Sequence, residues 1–380
     1  MNCPHYTANR CRSCTELERP YTEQLAAKQA HCQSLLAAHA ELNWLPPIAS
    51  AEAGFRNKAK MVVSGSALQP ILGIRDVAGQ GVDLSDCPLY PPSMQACFSA
   101  ISAFIVRATL DSYDLASRRG ELKFVLLTEA DDGSLMLRFV LRSEATVARI
   151  RKHLASLLEA LPQLAVVSVN LQPEHKAVLE GEREILLSEA SRLSISVNDI
   201  KLHLRPQSFF QTNTAVAAAL YAQARSWIDE VQPASVWDLY CGAGGFALHA
   251  AAVGRAVTGI ELEAEAIASA ELSLADLAAS GREIGDVQFA SADATAWALA
   301  QPNGVELVIV NPPRRGIGET LSRHLEAANA TRWLIYSSCN AESLARDLAL
   351  MPSLKPRRAR VLDMFPQTRH YEVIMLLERG

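Results

Sequence analysis

From Pro206 onward the chain repeats one unit: a short apolar run, a turn, then a helical stretch rich in Ala and Leu. That rhythm predicts an α/β fold on a single doubly wound, Rossmann-like sheet. Seven runs read as its strands: VWDLY (236–240), AVTGIE (256–261), VQFASAD (287–293), ELVIVN (306–311), WLIYSS (333–338), RVLDMF (360–365) and YEVIMLLE (371–378). Such sheets hold ligands beyond the carboxyl ends of their strands, where strand order reverses. Chemistry is therefore expected at the residues that end each strand.

The 380 residues exceed what one ordinary core serves, so more than one domain is expected. Residues 1–90 are cysteine-bearing and irregular, apart from a helical stretch from Glu23 to Ala40 and strand-like runs KMVVSG and PILGIR. Residues 91–205 alternate helical stretches with KFVLLTE, LMLRFVLR and AVVSVNLQ, which predicts a central α+β domain. The regions on either side of residue 90 can interleave in space. Residues 206–380 form the third segment, the α/β domain.

Apolar residues at 49% and charged residues at 20% describe a globular chain. No apolar run has the length of a bilayer span, and MNCPHYTANRCRSC lacks the basic-then-apolar order of a secretory signal. A cytoplasmic location is expected, where cysteines act as ligands or reagents rather than in disulfides. A net charge of −5 leaves any nucleic-acid binding to local basic patches, because phosphate contacts need cations. Four patches stand out: Arg56, Lys58 and Lys60; Arg118, Arg119 and Lys123; Arg314 and Arg315; and KPRRAR from Lys355 to Arg360. Basic residues on loops are commonly only solvated.

The first α/β strand ends in DLYCGAGGF, where Asp238 precedes a turn carrying Gly242, Gly244 and Gly245. Glycines there let the backbone approach a ligand. The second strand ends at Glu261, 19 residues beyond Gly242, near the spacing at which an acid reaches a ribose diol in dinucleotide folds. The third ends at Asp293. The glycine turn alone would be a tight connection; two acids at strand ends point to a nucleoside cofactor. GAGGF is not GxGxxG and no P-loop signature occurs, so neither a dinucleotide nor a triphosphate is favoured. The turn and its acids resemble the class I S-adenosyl-L-methionine-dependent methyltransferases. That resemblance implies Glu261 on the ribose hydroxyls, Asp293 near the adenine, and the backbone after Asp238 at the amino-acid end.

The fourth strand ends in NPPRRG. Asn311-Pro312-Pro313 resembles the motif of methyltransferases that act on exocyclic amines, but Arg314 stands where they place an aromatic platform. A rigid loop is the alternative. The fifth strand ends in SSCN, putting Cys339 on the same edge. Asn340 reads as the N-cap of a helix whose apolar face is Leu344, Ala345 and Leu348, and the positive helix end is expected to favour a Cys339 thiolate. A structural cysteine is the alternative. Uracil carbon 5 is too weak a nucleophile to attack a sulfonium methyl. A thiolate added to carbon 6 turns the ring into an enolate whose carbon 5 is strongly nucleophilic. The carbon 5 proton must then leave, which requires a base. By the strand order of methyltransferases, the last strand runs antiparallel beside the fifth, which would bring Glu372 of HYEV next to Cys339.

RPQSFFQTN (205–213), DLYCGAGGF, NPPRRG, IYSSCN and HYEV together resemble the RNA uracil-C5 methyltransferase family, in order and over most of the chain. The resemblance implies Cys339 as nucleophile and Glu372 as base, with Gln211, Tyr240, Glu261 and Asn311 at cofactor positions. Many members have Asp-Pro-Pro where this chain has Asn311, and Tyr240 replaces a common Phe.

Cys3, Cys11 and Cys14 form C-x7-C-x2-C, followed by Cys87-Pro88. Four thiolates suit zinc or a 4Fe-4S cluster equally by spacing; three within twelve residues of polar sequence argue against unrelated buried thiols. The arrangement resembles the cluster-bearing members of the same family, which implies a 4Fe-4S cluster on these four residues in a structural or RNA-positioning role. Cys32, Cys97 and Cys241 have no assigned role. The chain starts at the cysteines rather than at a strand-rich barrel, and GFRNKAKM and PPRRGIG agree with the shorter branch that acts on 23S ribosomal RNA. That branch implies a single-stranded or looped uridine as target, which leaves its stack at lower cost than a paired base. It implies no DNA partner, no membrane and no particular oligomer. Two rivals are a methyltransferase acting on an exocyclic amine of a nucleic-acid base and a non-enzymatic iron-sulfur RNA-binding protein.

Overall fold

The computed structural model describes every residue except 177, 302 and 303. The chain forms two compact units, each assembled from separate stretches. One comprises Met1–Cys14, Glu52–Ile195 and Arg205–Gln207; the other comprises Thr15–Ala51, Ser196–Leu204 and Ser208–Gly380.

The first unit is built on a seven-stranded sheet in the order Gly81–Asp83, Gln69–Arg75, Lys58–Ser66, Leu122–Glu129, Leu135–Leu141, Leu164–Leu171, Arg183–Leu186. Strands from both sides of residue 90 share it, since Lys58–Ser66 pairs with Gln69–Arg75 and with Leu122–Glu129. The parallel pair Leu135–Leu141 and Leu164–Leu171 is bridged by the helix Val147–Ala160. Strand periodicity sorts the side chains: Ala59, Met61 and Val63 enter a core with Met94, Phe98 and Ile101 of the helix Pro92–Arg107. The intervening Lys58, Lys60 and Val62 take the opposite face. Met94, Phe98 and Ile101 fall at i, i+4 and i+7, the spacing of one helical stripe, and burying each such side chain contributes roughly 1.5–3 kcal/mol. Arg138 is buried in this sheet between Glu180 and Glu184, at 2.8 and 2.7 Å; a buried cation persists because two carboxylates meet it.

The second unit carries a sheet of eight strands rather than the seven expected. Its order is Asn43–Trp44, Leu354–Leu362, Glu372–Arg379, Trp333–Ser338, Leu307–Val310, Ser235–Leu239, Ala256–Glu261, Val287–Ser291. The extra strand, Asn43–Trp44, has two residues parallel to Leu354–Leu362, too few for any periodicity. The KPRRAR run is part of a strand, not a solvated loop patch. Arg357 donates to Glu378 at 3.0 Å, Arg358 grips Glu230 with both terminal nitrogens at 2.8 Å, and Arg360 donates to Gln223 at 2.7 Å. Cations on this strand are largely spent on neighbours within the unit.

Ser235–Leu239 lies parallel between Ala256–Glu261 and Leu307–Val310, so strand order reverses there. Trp333–Ser338 extends the sheet in parallel, whereas Glu372–Arg379 joins it antiparallel. One sheet edge therefore gathers the ends of five parallel strands and the start of the last strand. The helix Tyr21–Leu35 belongs to this unit: Lys28 donates to Asp363 at 2.7 Å, Gln24 to Gln367 at 2.9 Å, and Cys32 is fully buried. Among the described residues no helix is long and apolar enough to cross a membrane.

Candidate active site

At the first strand end, the chain turns sharply after Leu239. Tyr240 takes a left-handed backbone with φ of 67°, and Gly242 and Gly244 follow at 55° and 84°. A non-glycine residue in that region costs of order 1–3 kcal/mol, held here by the strand before and the helix Gly245–Ala250 after. A side chain at Gly244 would meet the Phe289 ring at 2.9 Å, so the turn is also a close approach of backbone to the strand Val287–Ser291, two places along the sheet. Asp238 is wholly buried. Its Oδ2 accepts from the Ala247 amide at 2.8 Å, its Oδ1 has no partner, and burial pushes its pKa up to about 8.

Glu261 closes over this turn. Its Oε2 accepts from the Gly242 amide at 3.1 Å, and its Oε1 from Leu262 and Glu263 at 2.7 and 3.2 Å. Asp293 is exposed and caps the helix Ala294–Leu299, accepting from the Ala296 amide at 2.8 Å. The Tyr240 hydroxyl lies 3.4 Å from Thr295 in that helix. Asn311 donates its backbone amide to Leu239 at 3.4 Å, which joins the fourth strand end to the first. Gln211 is buried just ahead of Asn213, the N-cap of the helix Thr214–Val231. Tyr240, Glu261, Asp293 and Asn311 thus line one sheet edge, while Gln211 comes from outside the sheet.

The fifth strand and the last are paired Ser337 with Ile374 and Ser338 with Val373. One further step in that register sets Cys339 opposite Glu372, within reach of each other on one face. Glu372 is buried, and the Ser337 hydroxyl donates to its Oε1 at 2.7 Å. Burial pushes the carboxyl up to about 7, against the pull of that hydrogen bond. Cys339 is half-buried. Asn340 caps the helix Ala341–Ala349 as expected, accepting from Glu342 at 3.0 Å. The thiol nevertheless does not lie below its ordinary range. Burial and the negative Glu372 raise it, with Arg314 pulling it down. The helix end is outweighed because desolvation penalises any anion at this position.

Three residues were not predicted as site members. Ser337 was legible by alternation, standing two residues before Cys339 on the same face. Arg314 was noted as a basic residue and as the occupant of the aromatic-platform position after Asn311-Pro312-Pro313, not as a neighbour of the Cys339 sulfur. Asp347 carried a weaker signal, an acid three residues after the buried Leu344 on one helical face; its Oδ2 accepts from Tyr336 at 2.6 Å and from the Ile317 amide at 2.8 Å.

Cys3, Cys11, Cys14 and Cys87 all lie in the first unit, and all are free thiols. Cys14 is pushed up to about 12 by burial and by Cys87, Cys11 and Cys3, and Cys87 up to about 11 by burial, Cys3 and Cys11, so the four stand close enough to repel as thiolates. His5 and Asp86, 2.5 Å apart, tie the amino-terminal loop to the Cys87 loop. Among the described residues no group of three or more His, Cys, Asp and Glu closes on a point that could hold a metal ion. In the same unit a cavity of about 390 Å³ is lined by Val62, Tyr113, Leu115 and Phe124 among cations Arg75, Lys123 and Lys176.

A family model described as tRNA (uracil-5-)-methyltransferase matches residues 152–380. The 23S rRNA (uracil(747)-C(5))-methyltransferase RlmC of Yersinia pestis (strain Pestoides F) is 52% identical over 99% of this chain and 99% of its own length. The RlmC protein of Yersinia pseudotuberculosis serotype I (strain IP32953) matches to the same extent. Among solved structures, the Pyrococcus abyssi tRNA (uracil-54, C5)-methyltransferase in complex with S-adenosyl-L-homocysteine aligns with a TM-score of 0.79 at 23% identity, covering 96% of this chain and 85% of that chain. That likeness shows the fold. With the match across residues 152–380, which hold seven of the eight strands of that sheet, and the full-length identity, the chain belongs to the tRNA (uracil-5-)-methyltransferase family.

Proposed function

We propose that this protein transfers a methyl group from S-adenosyl-L-methionine to carbon 5 of a uridine in 23S ribosomal RNA, the uridine corresponding to the 747 named in its relatives. The choice of ribosomal over transfer RNA is supported by the 52% identity along the full length of the RlmC proteins. The observation that carries the chemistry is the juxtaposition of Cys339 and Glu372 across the antiparallel register. Neither an exocyclic-amine transferase nor a non-enzymatic RNA-binding protein has use for a thiol facing a buried base.

Cys339 loses its proton to solvent, the thiolate forms a bond to uracil carbon 6 as the double bond between carbons 5 and 6 opens, and the freed electron pair on carbon 5 bonds the methyl. S-adenosyl-L-methionine supplies an electrophilic methyl. Glu372 then takes the proton from carbon 5, the ring double bond re-forms and the bond from sulfur to carbon 6 breaks, returning the thiolate. Burial holds Glu372 near neutrality, where a base is strong enough to abstract and weak enough to release. Arg314 offsets the cost of the thiolate.

The strand-end residues fit the cofactor. A glycine turn permits close approach, Glu261 is tied to that turn by the Gly242 amide, and Asp238 Oδ1 is a buried polar atom without a partner. Gln211, Tyr240, Glu261, Asp293 and Asn311 would hold it. Cys3, Cys11, Cys14 and Cys87 are read as the holders of a 4Fe-4S cluster, a reading supported by thiols close enough to repel one another. The cluster would brace the loop segments of Cys3–Cys14 and Cys87. We assign RNA holding to this unit, supported by a cavity where the rings of Tyr113 and Phe124 stand among Arg75, Lys123 and Lys176, the last paired with Glu174, since bases stack on rings and phosphates seek cations.

Labelling a 23S transcript with methyl-tritiated S-adenosyl-L-methionine, then mapping the modified base, tests the proposal. Label in 5-methyluridine supports it; label in an exocyclic amine, or none in any RNA, overturns it.

A further inference from the structure

The loop that presents Arg314 to Cys339 is held at several points, and most lead to the helix that follows the cysteine. Asn340 donates its side-chain amide to the Arg314 carbonyl at 3.1 Å. Asp347, two turns deeper in that helix and buried, accepts from the Ile317 amide at 2.8 Å and from the Tyr336 hydroxyl at 2.6 Å through the same oxygen. Gly316 makes this close approach possible: its φ is 85°, and a Cβ there would lie 2.3 Å from Asp347 Oδ2. Tyr336 adds a donor from the middle of the strand that ends at Cys339, so loop, strand and helix meet at one carboxylate oxygen.

We propose that Asp347 is a positioning residue that fixes the NPPRRG loop so that the Arg314 guanidinium stays against the Cys339 sulfur. The inference rests on the reading of Cys339 as nucleophile. Its physical basis is that one carboxylate oxygen receiving two donors is strongly directional, and it holds the loop at Ile317, three residues beyond the Arg314 carbonyl that Asn340 holds. The charged groups facing the Cys339 sulfur are Glu372 from the last strand and Arg314 from this loop. They act in opposite senses. Losing Arg314 from its place leaves only Glu372, which disfavours the thiolate.

The test is RNA-free alkylation of Cys339 by iodoacetamide across pH 6 to 10, read at the Cys339 peptide by mass spectrometry in the full chain. Asp347→Ala is expected to slow alkylation at pH 8 by roughly three- to tenfold and to move its inflection to higher pH, as Arg314→Ala does. The double variant is expected to match Arg314→Ala alone, because Asp347 acts through Arg314. Asp347→Asn keeps an acceptor for both donors and is expected to restore the wild-type profile. If Asp347→Ala does not fold, Tyr336→Phe, which removes one donor, is expected to give a smaller shift in the same direction. An unchanged alkylation profile in the folded variants, or full additivity with Arg314→Ala, overturns the inference. Wild-type protein that alkylates as expected but methylates no RNA would sink the functional reading and leave the positioning result standing.

Discussion

Cys339 and Glu372 face each other across the junction of a parallel strand end and an antiparallel strand start, one step beyond the pair Ser338 and Val373. The half-buried thiol and the buried carboxyl are each raised by burial, and the negative carboxyl raises the thiol further. Burial and mutual repulsion both work against two anions standing here at once.

Replacing Cys339 by Ala removes the sulfur proposed to add to carbon 6. Methyl transfer to a 23S transcript is expected to vanish, while binding of S-adenosyl-L-methionine by calorimetry stays at the wild-type value, because the residues proposed to hold the cofactor lie on other strand ends and, for Gln211, outside the sheet. Methylation at more than a trace level would exclude covalent activation.

Glu372→Gln fills the same space without accepting a proton. The reaction is expected to stop after methyl transfer, leaving protein and RNA joined through Cys339 and visible as a slow band on a denaturing gel. A variant that turns over freely and forms no adduct would place the base elsewhere.

The pH dependence follows from Glu372. With a folded pKa of about 7 against an ordinary 4.5, the folded state holds the proton more tightly than the unfolded state, so stability falls as pH rises from 4.5 through 7. In urea titrations at pH 5 and pH 8, wild type is expected to lose more stability across that interval than Glu372→Gln. The single-turnover rate of adduct release is expected to rise about tenfold per unit below pH 7 and level above it. Ser337→Ala removes the hydrogen bond that favours the carboxylate, which moves that bend to higher pH; a bend at unchanged pH would show that the Ser337 contact is not made in solution.

Cys14→Ser is expected to yield colourless protein from anaerobic purification where wild type is brown, with iron and sulfide lost together, and Cys97→Ser, deep in the core beside Gln163, is expected to keep both. Wild type that returns zinc and no sulfide by elemental analysis would replace the cluster with a single ion.

Much of the second unit was legible because its strands are short apolar runs with glycine or acidic residues at their ends, and Asn340 is a cap whose signal is local. Asn43–Trp44 was not legible, since two residues have no period. KPRRAR misled for a related reason: alternate charges on a strand paired with Glu378 and Glu230 look, in one dimension, like a solvated patch. The placement of Thr15–Ala51 beside the last strands depends on Lys28 reaching Asp363, 335 residues away, and no local pattern records such a pairing.

By itself the sequence determined which chemistry was available: a thiol and acids at strand ends, a glycine turn, four cysteines in polar surroundings. These depend on residue identity and on spacing within one element, which a linear reading retains. Only the tertiary structure decided the protonation of that chemistry and who stands beside whom. Desolvation, the register that sets Glu372 on Cys339, and the shared oxygen of Asp347 arise from packing between distant segments, and the energy of a buried charge depends on its surroundings rather than on its neighbours in the chain.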